Sequence, residues 1–128
     1  MHMNNPKFIF LVEDDVLLSE IYTNCLNSLD NFKVLHFKSG EEMFYFMENI
    51  QPYVIITDYN LSPKNPSSHM DGLELIRKSK LIFENVPIAM ITGEGSEIMD
   101  EALEDGADFF IEKDENSVSK LYKWVNEL

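Results

Sequence analysis

The stretch FIFLVEDD, residues 8–15, decides the fold, because five apolar residues run directly into three acidic ones. An apolar run of this length is typical of a buried strand, and the acidic residues predict a turn at its carboxyl end. The run YVIITD, residues 53–58, repeats the pattern with β-branched residues and a closing aspartate, Asp58. Strands that lack polar alternation are usually covered on both faces, as in parallel sheets. The two runs therefore predict an α/β fold around a parallel sheet.

Strand and helix patterns alternate along the rest of the chain. Strands are predicted at residues 7–12, 33–37, 53–57, 86–92 and 108–112. Helices are predicted at 16–29, 71–82 and near 118–128, and a fourth lies within 95–107, where Gly106 can end it in a left-handed conformation. Another helix is predicted to begin at the capping box Ser39-x-x-Glu42 and to stop at Pro52. Five β-α repeats require right-handed crossovers, with helices on both faces of an open sheet.

Apolar residues at helical spacing predict the buried face of three helices. These stripes are Leu18, Ile21, Tyr22, Cys25 and Leu29; Met43, Phe46, Met47 and Ile50; and Val118, Leu121, Tyr122, Val125 and Leu128. The single cysteine is therefore assigned to the core. His2, His36 and His69 share no metal-ligand spacing and receive no role.

The composition excludes several classes of function. Lys and Arg number 10 against 23 Asp and Glu, a formal net charge of −13, which disfavours binding to nucleic acid or to anionic membranes. No apolar run approaches the roughly 20 residues of a membrane span, and the polar start shows no signal-peptide pattern. One cysteine forms no internal disulfide, which favours a reducing, cytoplasmic setting. The length predicts a single domain, residues 1–128 with a core of 7–128, and no output domain.

Chemically useful side chains stand at the predicted carboxyl ends of four strands, where open parallel sheets carry their sites. They are Glu13, Asp14 and Asp15 after the first strand, Asp58 after the third, Thr92 after the fourth and Lys113 after the fifth. Carboxylates packed together repel one another unless a cation lies among them, and oxygen ligands with water access suit Mg²⁺. Asp58 could then accept a phosphoryl group to form an aspartyl-phosphate, with Lys113 and Thr92 holding phosphoryl oxygens. Taken singly, Asp58 and Thr92 are common turn or cap residues and Lys113 is an ordinary solvated lysine. The acidic residues 13–15 could be a solvated turn with Asp15 as a helix N-cap.

The chain resembles the receiver domain of bacterial two-component response regulators over residues 7–128. The motifs that carry the resemblance are FIFLVEDD (8–15), YVIITDYNLSP (53–63), MDG (70–72), PIAMITG (87–93) and GADFFIEK (106–113). The resemblance implies a flavodoxin-like, doubly wound (βα)5 fold with strand order 2-1-3-4-5. It implies a signalling domain, similar to single-domain chemotaxis-type regulators, that catalyses only its own phosphotransfer and autodephosphorylation.

The resemblance also implies roles for individual residues. Asp58 matches the phosphoacceptor, and Glu13 and Asp14 match the acidic pair that binds Mg²⁺ with it. Asn60 matches the position whose backbone carbonyl completes the metal site. Thr92 and Phe110 match the hydroxyl and aromatic switch positions, and Lys113 matches the lysine of the site.

Partners follow from the same resemblance. A sensor histidine kinase or a His-phosphotransfer protein would supply the phosphoryl group, and a downstream protein would read the result. The signal would leave through the face formed by the fourth helix, the fifth strand and the fifth helix, where Trp124 either edges the exposed surface or packs on its neighbours. A homodimer that forms on phosphorylation is possible, and the sequence does not decide whether it forms.

Two departures from the family pattern stand out. Asp114 follows Lys113, where the family usually has a proline, often after a cis bond, so a different loop and a less rigid lysine are expected. The loop 61–70 is longer than usual, and its Pro63, Pro66, Ser67 and Ser68 either touch a partner or form a tolerated insertion.

Three other interpretations compete. An aspartate-nucleophile phosphohydrolase of the haloacid dehalogenase type needs a second acid two residues after the nucleophile, and Asn60 stands there. A flavodoxin-like cofactor binder needs a phosphate cradle after the first strand, and the acidic residues 13–15 would repel a phosphate. A receiver excised from a longer protein, such as a hybrid kinase, remains an alternative to a stand-alone regulator.

Overall fold

The computed structural model describes residues 5–61 and 70–128, in which five strands and five helices alternate. The strands are β1 (Lys7–Val12), β2 (Phe32–Phe37), β3 (Val54–Asp58), β4 (Ile88–Thr92) and β5 (Phe109–Glu112). The helices are α1 (Val16–Leu26), α2 (Gly40–Phe46), α3 (Gly72–Ile82), α4 (Ser96–Asp105) and α5 (Ser117–Asn126). All strand pairs are parallel, and the sheet order is β2-β1-β3-β4-β5, so the flavodoxin-like topology is confirmed.

The sheet separates two apolar layers. Side chains alternate along β1, so that Ile9 and Leu11 face one layer while Phe10 and Val12 face the other. The first layer contains buried residues of α1 and α5, and the second contains those of α2, α3 and α4. Because both faces are covered, β3 and β4 are buried at every position.

Helix caps fix where the chain leaves the strands. The side chains of Asp15, Ser39 and Asp71 each accept a hydrogen bond from a backbone N–H three residues further on, at the starts of α1, α2 and α3. Gly106 ends α4 with a φ of 119°, a left-handed conformation in which a side chain would be strained. These four capping predictions are confirmed.

The first helix differs from its predicted length and buried face. It ends at Leu26 instead of residue 29, because the Asn27 side chain accepts a hydrogen bond from the N–H of Val34 at 2.9 Å and turns the chain toward β2. Its buried residues are Ser19, Tyr22 and Leu26, whereas Ile21 is 43% exposed. The hydroxyl of the buried Ser19 donates to the Val16 carbonyl at 2.7 Å within the helix. The assignment of Cys25 to the core was wrong, since its side chain is only half-buried.

The second helix is also shorter than predicted, because α2 ends at Phe46. The predicted core residues Met43 and Met47 are buried, whereas Phe46 is partly exposed and packs edge-on against Phe10, with ring centroids 6.4 Å apart. Turn residues, and not a further helical turn, connect α2 to Pro52.

Some predictions fall on residues that the structure does not describe. These are His2, Pro63, Pro66, Ser67, Ser68 and His69. Within the described ranges, none of the helices has the length and apolar character needed to cross a membrane.

Candidate functional site

The predicted site residues meet at the carboxyl edge of the sheet. Asp58 and Thr92 are the last residues of β3 and β4, while Glu13 and Lys113 directly follow β1 and β5. The ammonium of Lys113 lies 2.9 Å from Oδ2 of Asp58 and 3.2 Å from Oε1 of Glu13. Three strand ends are therefore tied together by one side chain.

Three carboxylates form a compact acidic cluster, which we define as Glu13, Asp14 and Asp58. One oxygen from each lies within 4.8 Å of the others. Glu13 and Asp58 are only 2% and 7% exposed. The third acidic residue of the turn, Asp15, points its carboxylate at the N–H of Leu18 and caps α1. The acidic turn thus supplies the cap of α1, Asp15, and two members of the acidic cluster, Glu13 and Asp14.

Two groups at the site, Glu13 and Lys113, have shifted pKa values. The pKa of Glu13 is raised from 4.5 to about 7, first by burial and then by the negative charge of Asp58, although Lys113 and the N–H of Asp15 oppose the shift. Burial lowers the pKa of Lys113, but its hydrogen bond to Asp58 and the charges of both carboxylates outweigh burial, so that the pKa is raised. The lysine therefore stays charged while Glu13 holds its proton more tightly than an exposed glutamate.

The acidic cluster fits a hard divalent cation. It offers oxygen ligands only, which is the donor set that Mg²⁺ prefers. When its three carboxyl groups are ionised, the single ammonium of Lys113 leaves the cluster with excess negative charge. After burial, the charge of Asp58 is the second cause of the raised pKa of Glu13. A divalent cation among these oxygens would neutralise the excess charge.

The phosphoacceptor candidate Asp58 is oriented by groups on both sides. Its Oδ1 accepts a hydrogen bond from the N–H of Tyr59 at 2.7 Å, while Oδ2 accepts from Lys113. The hydroxyl of Thr57 donates to the Asp58 carbonyl at 2.8 Å. The backbone passes so close to Gly72 that a Cβ there would collide with the Asp58 carbonyl oxygen. Sequence analysis did not assign Thr57 or Gly72 to the site; only the MDG motif hinted at the glycine.

The remaining predicted residues border the cluster. Thr92 is fully buried, and its hydroxyl oxygen accepts a hydrogen bond from the N–H of Glu94 at 3.2 Å. The side-chain amide of Asn60 donates to the Glu94 carboxylate at 3.2 Å, and a metal-binding role of the Asn60 carbonyl stays a prediction. Phe110 is half-buried and packs against the α2, α3 and α4 layer.

His36 contacts the backbone of the turn that carries Glu13. Nε2 of His36 lies 2.6 Å from the backbone carbonyl of Glu13, an arrangement in which the imidazole N–H donates. The N–H of Glu13 donates to the carbonyl of Phe37 at 3.0 Å. Both contacts fix the turn after β1 against β2, a role that the spacing of the histidines did not predict.

The chain is similar to proteins of one family. The model of the response regulator receiver domain matches residues 9–126. A protein-glutamate methylesterase/protein-glutamine glutaminase of Methanococcus maripaludis is 30% identical over 123 residues, which cover 93% of this chain and 32% of that protein. The chain therefore spans about a third of the curated relatives that it matches.

Solved structures agree with that family match. A CheY-like response regulator receiver domain protein of Methanospirillum hungatei superposes with a TM-score of 0.82 at 26% identity, over 96% of this chain and 93% of that one. The chemotaxis protein CheY4 of Vibrio cholerae superposes with a TM-score of 0.81 over 95% of this chain and 98% of that one. Its identity of 23% supports the fold alone.

Proposed function

The chain belongs to the response regulator receiver family, and we propose that its Asp58 accepts a phosphoryl group in a step that requires Mg²⁺. The observation that carries the proposal is the contact of the Asp58 carboxylate with the Lys113 ammonium inside the acidic cluster. A buried carboxylate with a fixed cation at one oxygen is suited to nucleophilic attack on a phosphorus that carries negative charge.

The proposed reaction moves one phosphoryl group between two proteins. An oxygen of Asp58 forms a bond to phosphorus while the bond from phosphorus to a histidine nitrogen of the donor breaks, and the imidazole keeps the electron pair. When bound at Glu13, Asp14 and Asp58, Mg²⁺ supplies neutralisation of charge on the phosphoryl oxygens. The N–H of Tyr59 keeps the carboxylate oriented through Oδ1.

Two further side chains are proposed to hold the phosphoryl group once it is attached. Lys113 already lies within hydrogen-bond distance of Oδ2, so its ammonium can pair with a phosphoryl oxygen added there. Thr92 is the last residue of the neighbouring strand, and its hydroxyl can donate a hydrogen bond to a charged oxygen of the phosphoryl group. Both residues therefore stabilise Asp58 after it has received the phosphoryl group.

The partners follow from the chemistry of the donor. A phosphohistidine on a sensor kinase or a phosphotransfer protein is the proposed phosphoryl source, and a downstream protein is the proposed reader. The methylesterase relatives extend far beyond the matched region, so their printed activity belongs to them and is not proposed for this chain. The function proposed here is signalling by protein contact.

A paired substitution tests the assignment. Acetyl phosphate with Mg²⁺ should add the mass of one phosphoryl group to the wild type, and Asp58→Asn should show no gain, because an amide is not nucleophilic. Asp15→Asn is the matched control, since this neighbouring side chain caps α1 and asparagine caps equally well. A mass gain that persists in Asp58→Asn would remove Asp58 from its role.

A further inference from the structure

The turn between β1 and α1 carries two carboxylates of the acidic cluster, and β2 holds its first residue on both sides. The N–H of Glu13 donates to the backbone carbonyl of Phe37 at 3.0 Å. The carbonyl of Glu13 lies 2.6 Å from Nε2 of His36. A carbonyl oxygen only accepts hydrogen bonds, so Nε2 carries the hydrogen and donates it. Two successive residues of β2 therefore hold the two peptide groups that flank the Cα of Glu13.

The hydrogen bond from His36 also restrains Asp14, through the rigid peptide plane. The Glu13 carbonyl lies in one plane with the N and Cα of Asp14, because rotation about the C–N bond is strongly hindered. A group that fixes this carbonyl therefore fixes the direction in which the chain enters Asp14. Beyond Asp14, the Asp15 side chain caps α1 by accepting from the N–H of Leu18 at 3.0 Å. Asp14 thus lies between a contact to β2 and a contact to α1.

The register of the sheet places His36 beside this turn. His36 pairs with Leu11 of β1, and the next pair joins Phe37 to Val12, the residue before Glu13. The imidazole is half-buried, which partly shields its hydrogen bond from water. Because β2 is an edge strand and β1 an interior one, His36 links the edge of the sheet to the strand that carries the acidic turn.

We infer that His36 is a positioning residue for the metal site. Its imidazole N–H, bonded to the Glu13 carbonyl, holds Glu13 and Asp14 where their carboxylates can bind Mg²⁺ together with Asp58. His36 acts through the backbone and is not itself a ligand of the proposed site. Groups that orient metal ligands commonly contribute about tenfold or more to metal affinity. The inference rests on the proposed function, because it concerns the Mg²⁺ site of that reaction.

Loss of this hydrogen bond should weaken metal binding without slowing the metal-loaded protein. His36→Leu removes the donor and keeps an apolar side chain on β2. Asp58 and Lys113 belong to other strand ends and keep their contact of 2.9 Å. The Mg²⁺ dissociation constant should therefore rise about tenfold. The rate of acyl-phosphate formation at saturating Mg²⁺ should stay within about twofold of the wild-type rate.

Calorimetry with Mg²⁺ alone measures the affinity, and acetyl phosphate at limiting and saturating Mg²⁺ measures the rate. All variants are compared at about pH 8, at which a histidine side chain is ordinarily neutral, so that its removal changes no charge. His36→Gln tests rescue, because a glutamine amide keeps an uncharged N–H donor on this side chain. It should bind Mg²⁺ within about threefold of the wild type.

Asn27→Ala is the matched control. The Asn27 side chain accepts a hydrogen bond from the N–H of Val34 in β2 at 2.9 Å. Val34 pairs with Ile9, near the start of β1 and away from the acidic turn. Asn27→Ala therefore also removes one contact that holds β2, and it changes no charge. It should lower the unfolding midpoint in chelator and leave the Mg²⁺ affinity at the wild-type value.

Several results would overturn the inference. They are an unchanged dissociation constant in His36→Leu, a His36→Gln variant that binds as weakly as His36→Leu, an equal loss in Asn27→Ala, and a rate that stays low at saturating Mg²⁺. If His36→Leu does not fold, His36→Val takes its place, because a β-branched side chain suits a strand. A wild type that binds Mg²⁺ but gains no phosphoryl group on Asp58 would refute the proposed function, while the affinities would still decide the role of His36.

Discussion

Glu13 is the residue whose acidity folding changes most visibly. Its pKa of about 7 lies above the ordinary 4.5, so the folded chain binds this proton more tightly than the unfolded chain does. In the absence of metal, the proton on Glu13 therefore stabilises the folded chain, and this contribution to the free energy of unfolding is complete below pH 4.5. The contribution is lost as the pH rises through 7. The free energy of unfolding falls in this window by at most about 1.4 kcal/mol per pH unit. Glu13→Gln should flatten that slope in denaturant titrations between pH 5 and 8 in chelator.

The control for this titration is Glu112→Gln, which neutralises an exposed carboxyl at the end of β5. It should keep the wild-type slope, because its carboxyl is already solvated. Equal slopes in wild type and Glu13→Gln would mean that Glu13 does not titrate abnormally.

Asp14 provides the second test at this scale. Asp14→Asn should weaken Mg²⁺ binding in calorimetry by at least about tenfold, because an ionised ligand is replaced by a neutral amide. Asp15→Asn should bind Mg²⁺ like the wild type, since Asp15 caps α1. Undiminished affinity in Asp14→Asn, with loss in Asp15→Asn, would move the metal site to Asp15.

The sequence predicted those residues whose chemistry is in the side chain. Asp58, Thr92 and Lys113 lie at the carboxyl ends of strands, and parallel strands bring those ends to one edge. Contacts that involve the backbone left no comparable pattern. The hydrogen bond from the N–H of Tyr59 to Asp58 and the contact of His36 with the Glu13 carbonyl depend on how the turns pack, which periodicity does not specify.

Among the elements, the start of α3 is constrained by its close approach to the end of β3. A Cβ on Gly72 would overlap the Asp58 carbonyl oxygen and lie 2.8 Å from Cε of Met90. Gly72→Ala should therefore lower the free energy of unfolding by about 1–3 kcal/mol, because backbone atoms cannot yield as a flexible side chain does. Denaturant unfolding monitored by circular dichroism measures the loss.

Gly93→Ala is the matched control, because a Cβ at that glycine would meet nothing within 4 Å. It should leave stability nearly unchanged. If both alanine variants were equally stable, the close approach of α3 to β3 would not restrict residue 72.

Element boundaries show where periodicity was insufficient. Helix starts were predicted from Asp15, Ser39 and Asp71 because a cap is a local interaction between a side chain and an N–H three residues on. The end of α1 was missed because the bond from Val34 to Asn27 joins two elements. The buried face of α1 was also predicted wrongly, since the polar Ser19 is buried while Ile21 of the predicted apolar stripe is exposed.

At the scale of the whole molecule, five β-α repeats predicted a parallel sheet, while the order of its strands came from the family resemblance. The observed order makes β1 and β3 adjacent interior strands, and their ends carry Glu13 and Asp58. Both acidic residues are buried, and burial raises the pKa of Glu13. The topology, beyond the residues themselves, therefore brings these two carboxylates together at one edge of the sheet.

Thr92 and Phe110 lie on two neighbouring strands at the edge of the site. Thr92 is the last residue of β4, which pairs with β5. Phe110 lies on β5, is half-buried and packs against the layer of α2, α3 and α4. On the other face of β5, Phe109 stacks on Trp124 of α5, with ring centroids 5.3 Å apart. Trp124 therefore both packs on a neighbour and borders an open groove of about 260 Å³. A shift of Thr92 toward a phosphoryl group would vacate space beside β5.

Phosphorylation of Asp58 should accordingly shift the population of Phe110 between its half-buried position and an inward one. Fluorine-labelled phenylalanine reports this in NMR, with the signal assigned through Phe110→Leu. In the wild type, acetyl phosphate and Mg²⁺ should move the Phe110 signal. Thr92→Ala should still gain the phosphoryl mass, because the nucleophile is intact, while its Phe110 signal stays in place. Thr23→Ala on α1 is the control and should respond like the wild type. A Phe110 signal that moves equally in phosphorylated Thr92→Ala would show that another route carries the signal from Asp58.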